Sequence, residues 1–280
     1  MSVSAAVSID ALADLLRSRR WTALTGAGIS TDSGIPDYRG ADARPASPIQ
    51  YDDFLRFETV RRRYWARSLL GFRSFGAARP NAGHRALAAL AQRGLATVIT
   101  QNVDGLHQAA GSASVIDLHG RIDRVRCLAC GELSPRSRLQ RRLEHANPGL
   151  EGEVAAGRAE LDDARLRPDG DAVVERWSDF VVLHCERCGG LLKPDVVFFG
   201  ESVPPARVAQ AYAAVDAAEV LLVAGSSLTV MSGLRFVRHA AKNGTPVAIV
   251  NRGATRGDES ATVRLDAGTS ETLSALAAKL

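Results

Sequence analysis

Short apolar runs that each end in small or polar residues constrain the fold of this chain most strongly. Helix-like patterns lie between some of these runs, at His84–Arg93 and Val208–Ala218. Continuous apolar runs of four to six residues are typical of parallel strands that are buried on both faces. We therefore predict an α/β fold with a Rossmann-like, doubly wound parallel sheet, which binds ligands beyond the carboxyl ends of its strands. The runs are Trp21–Thr25, Ala96–Thr100, Val115–Leu118, Val196–Phe199, Val220–Ala224 and Val247–Val250.

Two segments interrupt the alternation of strands and helices. Arg44–Gly76 is rich in arginine and aromatic residues at helical spacing, and Arg121–Gly190 contains all four cysteines and a polar, acidic stretch. We predict that both belong to a smaller domain inserted into the sheet domain. The predicted division is a Rossmann-like domain from residues 1–43, 77–120 and 191–280, a helical module at 44–76 and a zinc-binding module at 121–190.

Composition narrows the class of protein. The chain has 280 residues, of which 46% are hydrophobic and 24% charged, as in soluble globular proteins. No apolar run is long enough to cross a bilayer, and Met1–Arg20 has an amphipathic pattern that predicts a helix and no export signal. The net charge of +4 comes from scattered arginines, so we expect no nucleic-acid partner and no membrane association. We expect a cytoplasmic monomer.

Two CxxC pairs predict one structural zinc ion. Each pair is followed by glycine, and paired thiolate knuckles of this kind bind Zn²⁺ in tetrahedral geometry. Disulfides and a redox dithiol are the alternatives. Disulfides are disfavoured in a chain without an export signal, and a redox dithiol needs only one pair. The predicted ligands are Cys127, Cys130, Cys185 and Cys188.

The loop Gly26–Gly40, with sequence GAGISTDSGIPDYRG, begins like a phosphate-binding loop. Gly26 and Gly28 suit a tight turn close to a pyrophosphate at a helix N-terminus. Thr31 occupies the place of the third glycine of a dinucleotide fingerprint, and no Walker lysine follows. The two glycines alone fit an ordinary turn equally well. The segment Ile35–Arg39 adds an acid, an aromatic ring and an arginine, which a simple connection does not require.

Several separated motifs, from about residue 21 to the end, resemble those of the sirtuin family of NAD-dependent protein-lysine deacylases. Four finer features resemble the class II branch, which includes the mitochondrial lipoamidase and ADP-ribosyltransferase type: Arg63–Arg67, Asp123–Val125, the long segment between the two CxxC pairs, and Asn251–Arg256. The chain lacks that protein's targeting extension and looks like a bacterial, cytoplasmic counterpart. The motifs are Gly26–Ser30 with Gly34–Gly40, Thr100–His107, Leu118–Gly120, the two CxxC pairs, Lys193–Glu201, Gly225–Leu228 and Asn251.

The resemblance implies a reaction in which the nicotinamide–ribose bond of NAD breaks and the oxygen of an acyl-lysine captures the sugar carbon. His119 would be the general base that takes a proton from a ribose hydroxyl, with Asn102 and Asp104 as further catalytic residues. The remaining histidines are expected to be caps, packing residues or surface residues. The other implied NAD contacts are Gly26, Ala27, Gly28, Ile35, Asp37, Tyr38, Arg39, Gln101, Gly225, Ser226, Ser227, Asn251, Arg252, Gly253 and Thr269.

The resemblance also implies a protein substrate bound as an added strand. Its backbone would pair with Val197, Phe198, Phe199 and Gly200 and with Gly233–Leu234, although the first of these stretches also reads as an ordinary buried strand. Tyr64 and Arg67 repeat a spacing that, in the desuccinylating branch, holds an acyl carboxylate. A dicarboxyl acyl group, or lipoyl or biotinyl lysine as in class II relatives, is therefore one hypothesis for the substrate. The other is that Tyr64 packs within the helical module and Arg67 forms a salt bridge.

Three alternative functions follow from the same sequence. A dehydrogenase is disfavoured by Thr31 and by the segment Ile35–Arg39, and a non-catalytic zinc scaffold is disfavoured by the set His119, Asn102 and Asp104. Protein ADP-ribosyl transfer requires the same cleavage of NAD, and the sequence does not separate it from deacylation.

Overall fold

A computed structural model describes residues 8–37, 48–149 and 177–280 of the chain. Its larger sheet contains parallel strands in the order β3-β2-β1-β7-β8-β9, and its smaller, antiparallel sheet has the order β5-β4-β6. The larger order is that of a doubly wound Rossmann-like sheet, which confirms the predicted fold class. The strands are β1 (Trp21–Thr25), β2 (Leu95–Thr100), β3 (Val115–Asp117), β4 (Gly120–Cys127), β5 (Leu133–Pro135), β6 (Leu192–Val196), β7 (Val220–Ala224), β8 (Val247–Val250) and β9 (Val263–Leu265).

Helices cover both faces of the larger sheet. Local sequence fixes the start of two of them: Asn81 caps the helix Ala82–Leu90 in a capping box with His84, and Pro205 occupies the first turn of the helix Pro205–Asp216. The helices of the described residues are α1 (Ile9–Leu16), α2 (Tyr51–Arg56), α3 (Glu58–Ala77), α4 (Ala82–Leu90), α5 (Leu106–Ala109), α6 (Arg136–Ala146), α7 (Pro205–Asp216), α8 (Met231–Lys242) and α9 (Thr269–Lys279). No helix among the described residues is long and apolar enough to span a membrane.

Strand β7 shows why the apolar runs lack an alternating pattern. Val220, Leu222 and Ala224 pack in the core that includes α1, α4 and α9, whereas Leu221 and Val223 pack on the opposite face with α7 and α8. All five residues are buried. Burial of each valine or leucine side chain stabilises the fold by about 1.5–3 kcal/mol relative to leaving it exposed. Apolar residues are therefore favoured on both faces of the strand.

The smaller sheet packs with α2, α3 and α6 around a separate core. Phe54, Trp65 and Leu69 of the helices meet Val125 of β4 and Leu139 of α6 in this core. One cysteine pair lies at the C-terminal end of β4, and the other lies just before β6. The domain boundaries drawn from the sequence stay a prediction.

One prediction about local structure is wrong. Val196–Phe199 is not a strand of the parallel sheet, because β6 ends at Val196 and pairs with β4 in the smaller sheet. The apolar residues after Val196 turn away instead, and Phe198 packs against Phe54 and Tyr64. The glycine loop continues as two short 3₁₀ helices, Ala27–Ile29 and Thr31–Ser33.

Candidate active site and metal centre

A cavity of about 1440 Å³ lies at the carboxyl ends of β1, β2, β7 and β8. The order of the parallel sheet reverses between β1 and β7, which is where doubly wound sheets bind ligands. Tyr38 and Arg39 lie outside the described residues. Arg67 is buried and is not among the residues that line the cavity. The predicted site residues that line it are Gly26, Ala27, Gly28, Ile35, Asp37, Tyr64, Gln101, Asn102, Asp104, His119, Val197, Phe198, Phe199, Gly200, Gly225, Ser226, Ser227, Asn251, Arg252, Gly253 and Thr269.

The glycine loop is held directly against the end of β7. The Gly28 amide donates a hydrogen bond to the Gly225 carbonyl at 2.9 Å. A Cβ on Gly26 would lie 2.8 Å from the Gly225 oxygen, and one on Gly225, whose φ is +65°, would lie 2.6 Å from the Gly28 carbonyl carbon. Only glycine fits these three positions without a shift of the backbone. The close contact leaves bare backbone at the cavity wall, as phosphate binding requires.

Behind the glycine loop, Ser30 connects the ends of β1 and β2. Its hydroxyl donates to Asp104 Oδ2 at 2.7 Å and accepts from Asn102 Nδ2 at 3.0 Å. Asn102 Nδ2 also donates to the Gly26 carbonyl at 3.1 Å. Asp104 Oδ1 accepts from the Leu106 amide at 2.9 Å, at the start of α5. Asn102 and Asp104 are thereby fixed relative to the glycine loop.

A second layer of buried polar side chains supports this arrangement. Asn81 donates to the Ile29 carbonyl at 2.7 Å and hydrogen-bonds His84 at 3.0 Å. The His84 ring packs on that of His107, with centroids 4.9 Å apart, and His107 Nε2 hydrogen-bonds Thr25 Oγ1 at 2.9 Å. The sequence alone predicts that both histidines are caps, packing residues or surface residues, and does not include them among the site residues. Only the cap spacing of Asn81 and His84 signals part of this layer.

Burial keeps these two histidines neutral. It lowers the pKa of His84 to about 4, although the charge of Asp104 opposes the shift. Burial, with a smaller contribution from His84, lowers the pKa of His107 to about 3. Neutral imidazoles can each donate and accept one hydrogen bond, which suits a network that contains hydroxyl and amide groups.

His119 follows β3 and faces the cavity from between the two sheets. Its Nδ1 lies 2.9 Å from the Gln101 carbonyl oxygen, and its Nε2 lies 2.9 Å from Ser232 Oγ. A carbonyl oxygen can only accept, so Nδ1 carries the proton and Nε2 has the lone pair. Burial, together with the cations of Arg207 and Arg235, lowers the pKa of His119 to about 4, although the hydrogen bond with the Gln101 carbonyl opposes the shift. The ring is therefore a neutral base at neutral pH.

The stretch after β6 forms a second wall of the cavity. Lys193 is buried and pairs with Glu201 at 3.0 Å, and Glu201 Oε2 also accepts from the Phe198 amide at 2.8 Å. These bonds hold the turn that carries Phe199, which is 43% exposed. The expectation that Gly233–Leu234 pairs with a peptide as a strand is wrong, because both residues are buried within α8, whose backbone hydrogen bonds are used inside the helix.

The far end of the cavity is closed by the loops after β8 and before α9. Asn251 donates to the carbonyls of Arg252 and Gly253, at 2.7 and 3.2 Å, and thereby shapes the loop after β8. Thr269 Oγ1 donates to the Gly28 carbonyl at 3.2 Å. This contact joins the first turn of α9 to the glycine loop at one end of the cavity.

Tyr64 and Arg67 differ in their relation to the cavity. Tyr64 lines it and packs edge-on against Phe54, with ring centroids 5.6 Å apart, and against Trp65, at 5.1 Å. Arg67 is 8% exposed and lies one turn further along α3.

The four cysteines converge on one point beside the smaller sheet. Their sulfur atoms lie within 4.8 Å of one another, and none of them forms a disulfide. Cys127 Sγ is 3.5 Å from Cys188 Sγ, and Cys130 Sγ is 3.9 Å from Cys185 Sγ. Sulfur atoms at the corners of a Zn²⁺ tetrahedron with bonds of about 2.3 Å lie about 3.8 Å apart. The four cysteines are positioned to bind one zinc ion.

Glycines allow the backbone to fold around this centre. The Gly131 amide donates to the Cys127 carbonyl at 3.0 Å, and the Gly189 amide donates to the Cys185 carbonyl at 2.8 Å. Both glycines have positive φ. A Cβ on Gly190 would lie 2.9 Å from Cys127 Sγ and 2.6 Å from the Ala129 Cβ. The repeated geometry of the two knuckles fits a closed structural zinc site.

Sequence comparisons agree with these features. A model of the Sir2 family matches residues 26–232. The chain is 60% identical over 259 residues to NAD-dependent protein deacetylase 1 of Streptomyces coelicolor, and the alignment covers 91% of this chain and 84% of that protein. It is 53% identical over 281 residues to NAD-dependent protein deacetylase 1 of Mycobacterium avium, covering 100% of this chain and 98% of that protein.

Solved structures with the same fold contain relevant ligands. A Sir2–p53 peptide–NAD+ structure superposes with a TM-score of 0.72 at 30% identity and covers 95% of each chain. A Sir2 structure with an inhibitor, 2'-O-acetyl-ADP-ribose and deacetylated p53 peptide superposes with a TM-score of 0.72 at 29% identity, covering 94% of this chain and 95% of that one.

Proposed function

Because the chain belongs to the Sir2, or sirtuin, family, we propose that it uses NAD to remove acyl groups from lysine side chains of proteins. It is an NAD-dependent protein deacylase whose relatives are protein deacetylases. NAD is a co-substrate of this reaction, and one zinc ion has a structural role. The overall reaction consumes NAD, acyl-lysine and water and yields nicotinamide, lysine and O-acyl-ADP-ribose.

The observation that carries the proposal is the orientation of His119. Its Nδ1 proton is held by the Gln101 carbonyl, and its Nε2 lone pair is directed at Ser232 on the cavity side. A lowered pKa of about 4 keeps this nitrogen unprotonated at neutral pH. In our proposal the ribose hydroxyl displaces the Ser232 hydroxyl as hydrogen-bond donor, and Nε2 accepts its proton as general base.

The groups around His119 position NAD for this step. The backbone of Gly26, Ala27 and Gly28 binds the pyrophosphate, since it offers amide donors with no side chain in the way. Asn102 and Asp104, held by Ser30, orient the ribose and carboxamide on the nicotinamide side. Ile35 and Asp37 form part of the nicotinamide pocket.

The adenosine half occupies the opposite end of the cavity. Ser226, Ser227 and Asn251 bind its ribose, because they project from the ends of β7 and β8 into the cavity. Arg252 and Gly253 border the same loop, and Thr269 covers the adenine. In this arrangement NAD spans the switch point of the sheet, with its cleavable bond near His119.

Zinc stabilises the smaller sheet, whose strand β6 leads into the stretch that forms one wall of the cavity. Cys127 ends β4, and Cys185 and Cys188 precede β6, so the ion ties together the two strands that pair beside the cavity. Four thiolates complete its coordination shell, which leaves no position for a reacting water. Zinc therefore acts in folding and not in the chemical step.

Product analysis by mass spectrometry tests the proposal. The protein, loaded with zinc, is incubated with NAD and an acetyl-lysine peptide. We expect nicotinamide, deacetylated peptide and O-acetyl-ADP-ribose, all lost in His119→Tyr and retained in the matched control His145→Tyr, which changes an exposed histidine on α6. ADP-ribose attached to protein, with the acetyl group intact, would contradict deacylation and favour ADP-ribosyl transfer.

The acyl specificity is a finer proposal. We place Tyr64 at the acyl end of the cavity, because it lines the cavity between Phe54 and Phe198. Arg67 lies one helical turn away, and in this proposal its guanidinium attracts the carboxylate of a dicarboxyl acyl group towards Tyr64. Lipoyl and biotinyl lysine, which suit a class II enzyme, are the other candidate substrates.

A panel of succinyl-, glutaryl-, lipoyl-, biotinyl- and acetyl-lysine peptides tests this specificity on Arg67→Met. The matched control is Arg62→Met, which removes a partly exposed arginine of the same helix that pairs with Glu58 and donates to the Ser178 carbonyl. Loss of succinyl and glutaryl turnover in Arg67→Met alone supports the proposal, and unchanged selectivity removes Arg67 from the acyl pocket. The cytoplasmic location and the monomeric state stay predictions.

A further inference from the structure

One wall of the cavity carries two charged side chains among its described lining residues. It is formed by the turn after β6 and by the first turns of α8, and the two charges belong to Glu201 and Arg235. Apolar residues line the same wall, and two of them, Phe199 and Val230, are 43% and 36% exposed. Exposed apolar residues beside two charged groups suit a peptide ligand more than a small polar one.

Glu201 is already neutralised within the protein. Its carboxylate pairs with buried Lys193 at 3.0 Å and accepts a hydrogen bond from the Phe198 amide at 2.8 Å. A carboxylate with a buried cation and an amide donor as partners has little remaining attraction for a positive charge on a ligand. It serves to hold the turn in shape.

Arg235 has no such partner. Its Nε donates to the Met231 carbonyl at 3.2 Å, one turn earlier in α8. Within residues 8–37, 48–149 and 177–280 no carboxylate lies within ion-pair distance of it. Arg235 is three residues after Ser232, so both lie on the face of α8 that meets His119 and the cavity. The terminal nitrogen atoms of the guanidinium therefore lie at this wall of the cavity without a carboxylate partner among the described residues.

We propose that Arg235 selects protein substrates that carry aspartate or glutamate beside the acyl-lysine. This inference rests on the proposed deacylase function and names the substrate class of the same site. The planar guanidinium, already oriented by its bond to Met231, offers two nitrogen donors to a carboxylate. Because the pair would be partly solvated, its contribution to binding corresponds to a change of about two- to fivefold in KM.

Steady-state kinetics on three matched peptides test the inference. The peptides are identical except that the residue beside acetyl-lysine is aspartate, asparagine or lysine, and NAD is saturating. For the wild type we expect the lowest KM with the aspartate peptide and similar kcat values. Arg235→Gln should remove this preference, and Arg235→Glu should shift it to the lysine peptide. The matched control Arg238→Gln, an exposed arginine of the same helix, should retain the wild-type order.

Two further measurements separate this inference from the function on which it rests. Fluorescence anisotropy reports peptide binding without turnover, and the KM for NAD reports whether Arg235 binds a phosphate instead. Deacetylation without charge preference would overturn the role of Arg235 alone. A raised KM for NAD in Arg235→Gln with unchanged peptide preference would also overturn it. Charge-dependent binding without deacetylation would support Arg235 and contradict the deacylase function.

Discussion

His107 offers a quantitative test of the buried layer beneath the cavity. Its side chain is 1% exposed, and burial lowers its pKa from 6.5 to about 3. Between those two pH values the unfolded state binds a proton that the folded state does not bind. The free energy of unfolding is therefore highest above pH 6.5 and falls as the pH drops towards the folded-state pKa. Each pH unit in this window removes about 1.36 kcal/mol, so acidification to about pH 5 removes about 2 kcal/mol through His107 alone.

The variant His107→Gln removes the titrating group and retains a nitrogen that can meet Thr25 Oγ1. At pH 7.5 we expect it to be less stable than the wild type by about 1–3 kcal/mol, because ring packing is lost. The change in its free energy of unfolding between pH 7.5 and pH 5 should be about 2 kcal/mol smaller than that of the wild type. Urea unfolding at both pH values, with zinc present, measures the difference.

The cysteines and carboxylates are the same in variant and wild type. Their contributions to the pH dependence of the free energy of unfolding therefore cancel in the comparison. His145→Gln is the matched control, since it removes an exposed histidine of α6, and its loss on acidification should stay within about 0.5 kcal/mol of the wild-type loss. An equal loss in His107→Gln and the wild type would refute the argument that His107 is neutral because it is buried.

Four substitutions and one pH series test the cavity and the metal centre. Gly225→Ala should raise the Kd for NAD at least about tenfold by calorimetry, because a positive φ and a close backbone contact exclude a Cβ. Gly190→Ala should lower the zinc content per chain and the Tm, since its Cβ would meet Cys127 Sγ. Ser232→Ala should keep kcat within about fivefold of the wild type, whereas His119→Ala should lose about 100-fold or more. Because the pKa of His119 is about 4, kcat/KM of the wild type should stay constant as the pH falls from 8 to 5.5.

Much of the larger sheet is predictable because burial on both faces leaves a simple sequence pattern. Val220–Ala224 contains five consecutive apolar residues, and all five are buried in β7. The same pattern misleads at Val196–Phe199, where apolar side chains line a cavity and do not fill the core of the sheet. An apolar run indicates that side chains avoid water but does not specify which neighbours cover them. Strand β9, with three residues, is too short to produce such a run.

The site residues are predictable where polar side chains follow directly after a predicted strand. Gln101 and Asn102 follow β2, and the structure brings both to the cavity. The support for Asp104 is not visible in any one segment, because Ser30 comes from a different loop and His84 from a helix further along the chain. Contacts between residues far apart in sequence require the fold before they can be identified.

Coupling between the two halves of the reaction tests the central claim most directly. Nicotinamide and deacetylated peptide are quantified in the same reaction, with NAD in excess and with acetyl-lysine peptide present or absent. If His119 completes a deacylation that begins with cleavage of NAD, one nicotinamide should appear for each acetyl group removed, with little release when peptide is absent. Cleavage of NAD at the same rate without acetyl-lysine, or with every acetyl group retained, would contradict the account.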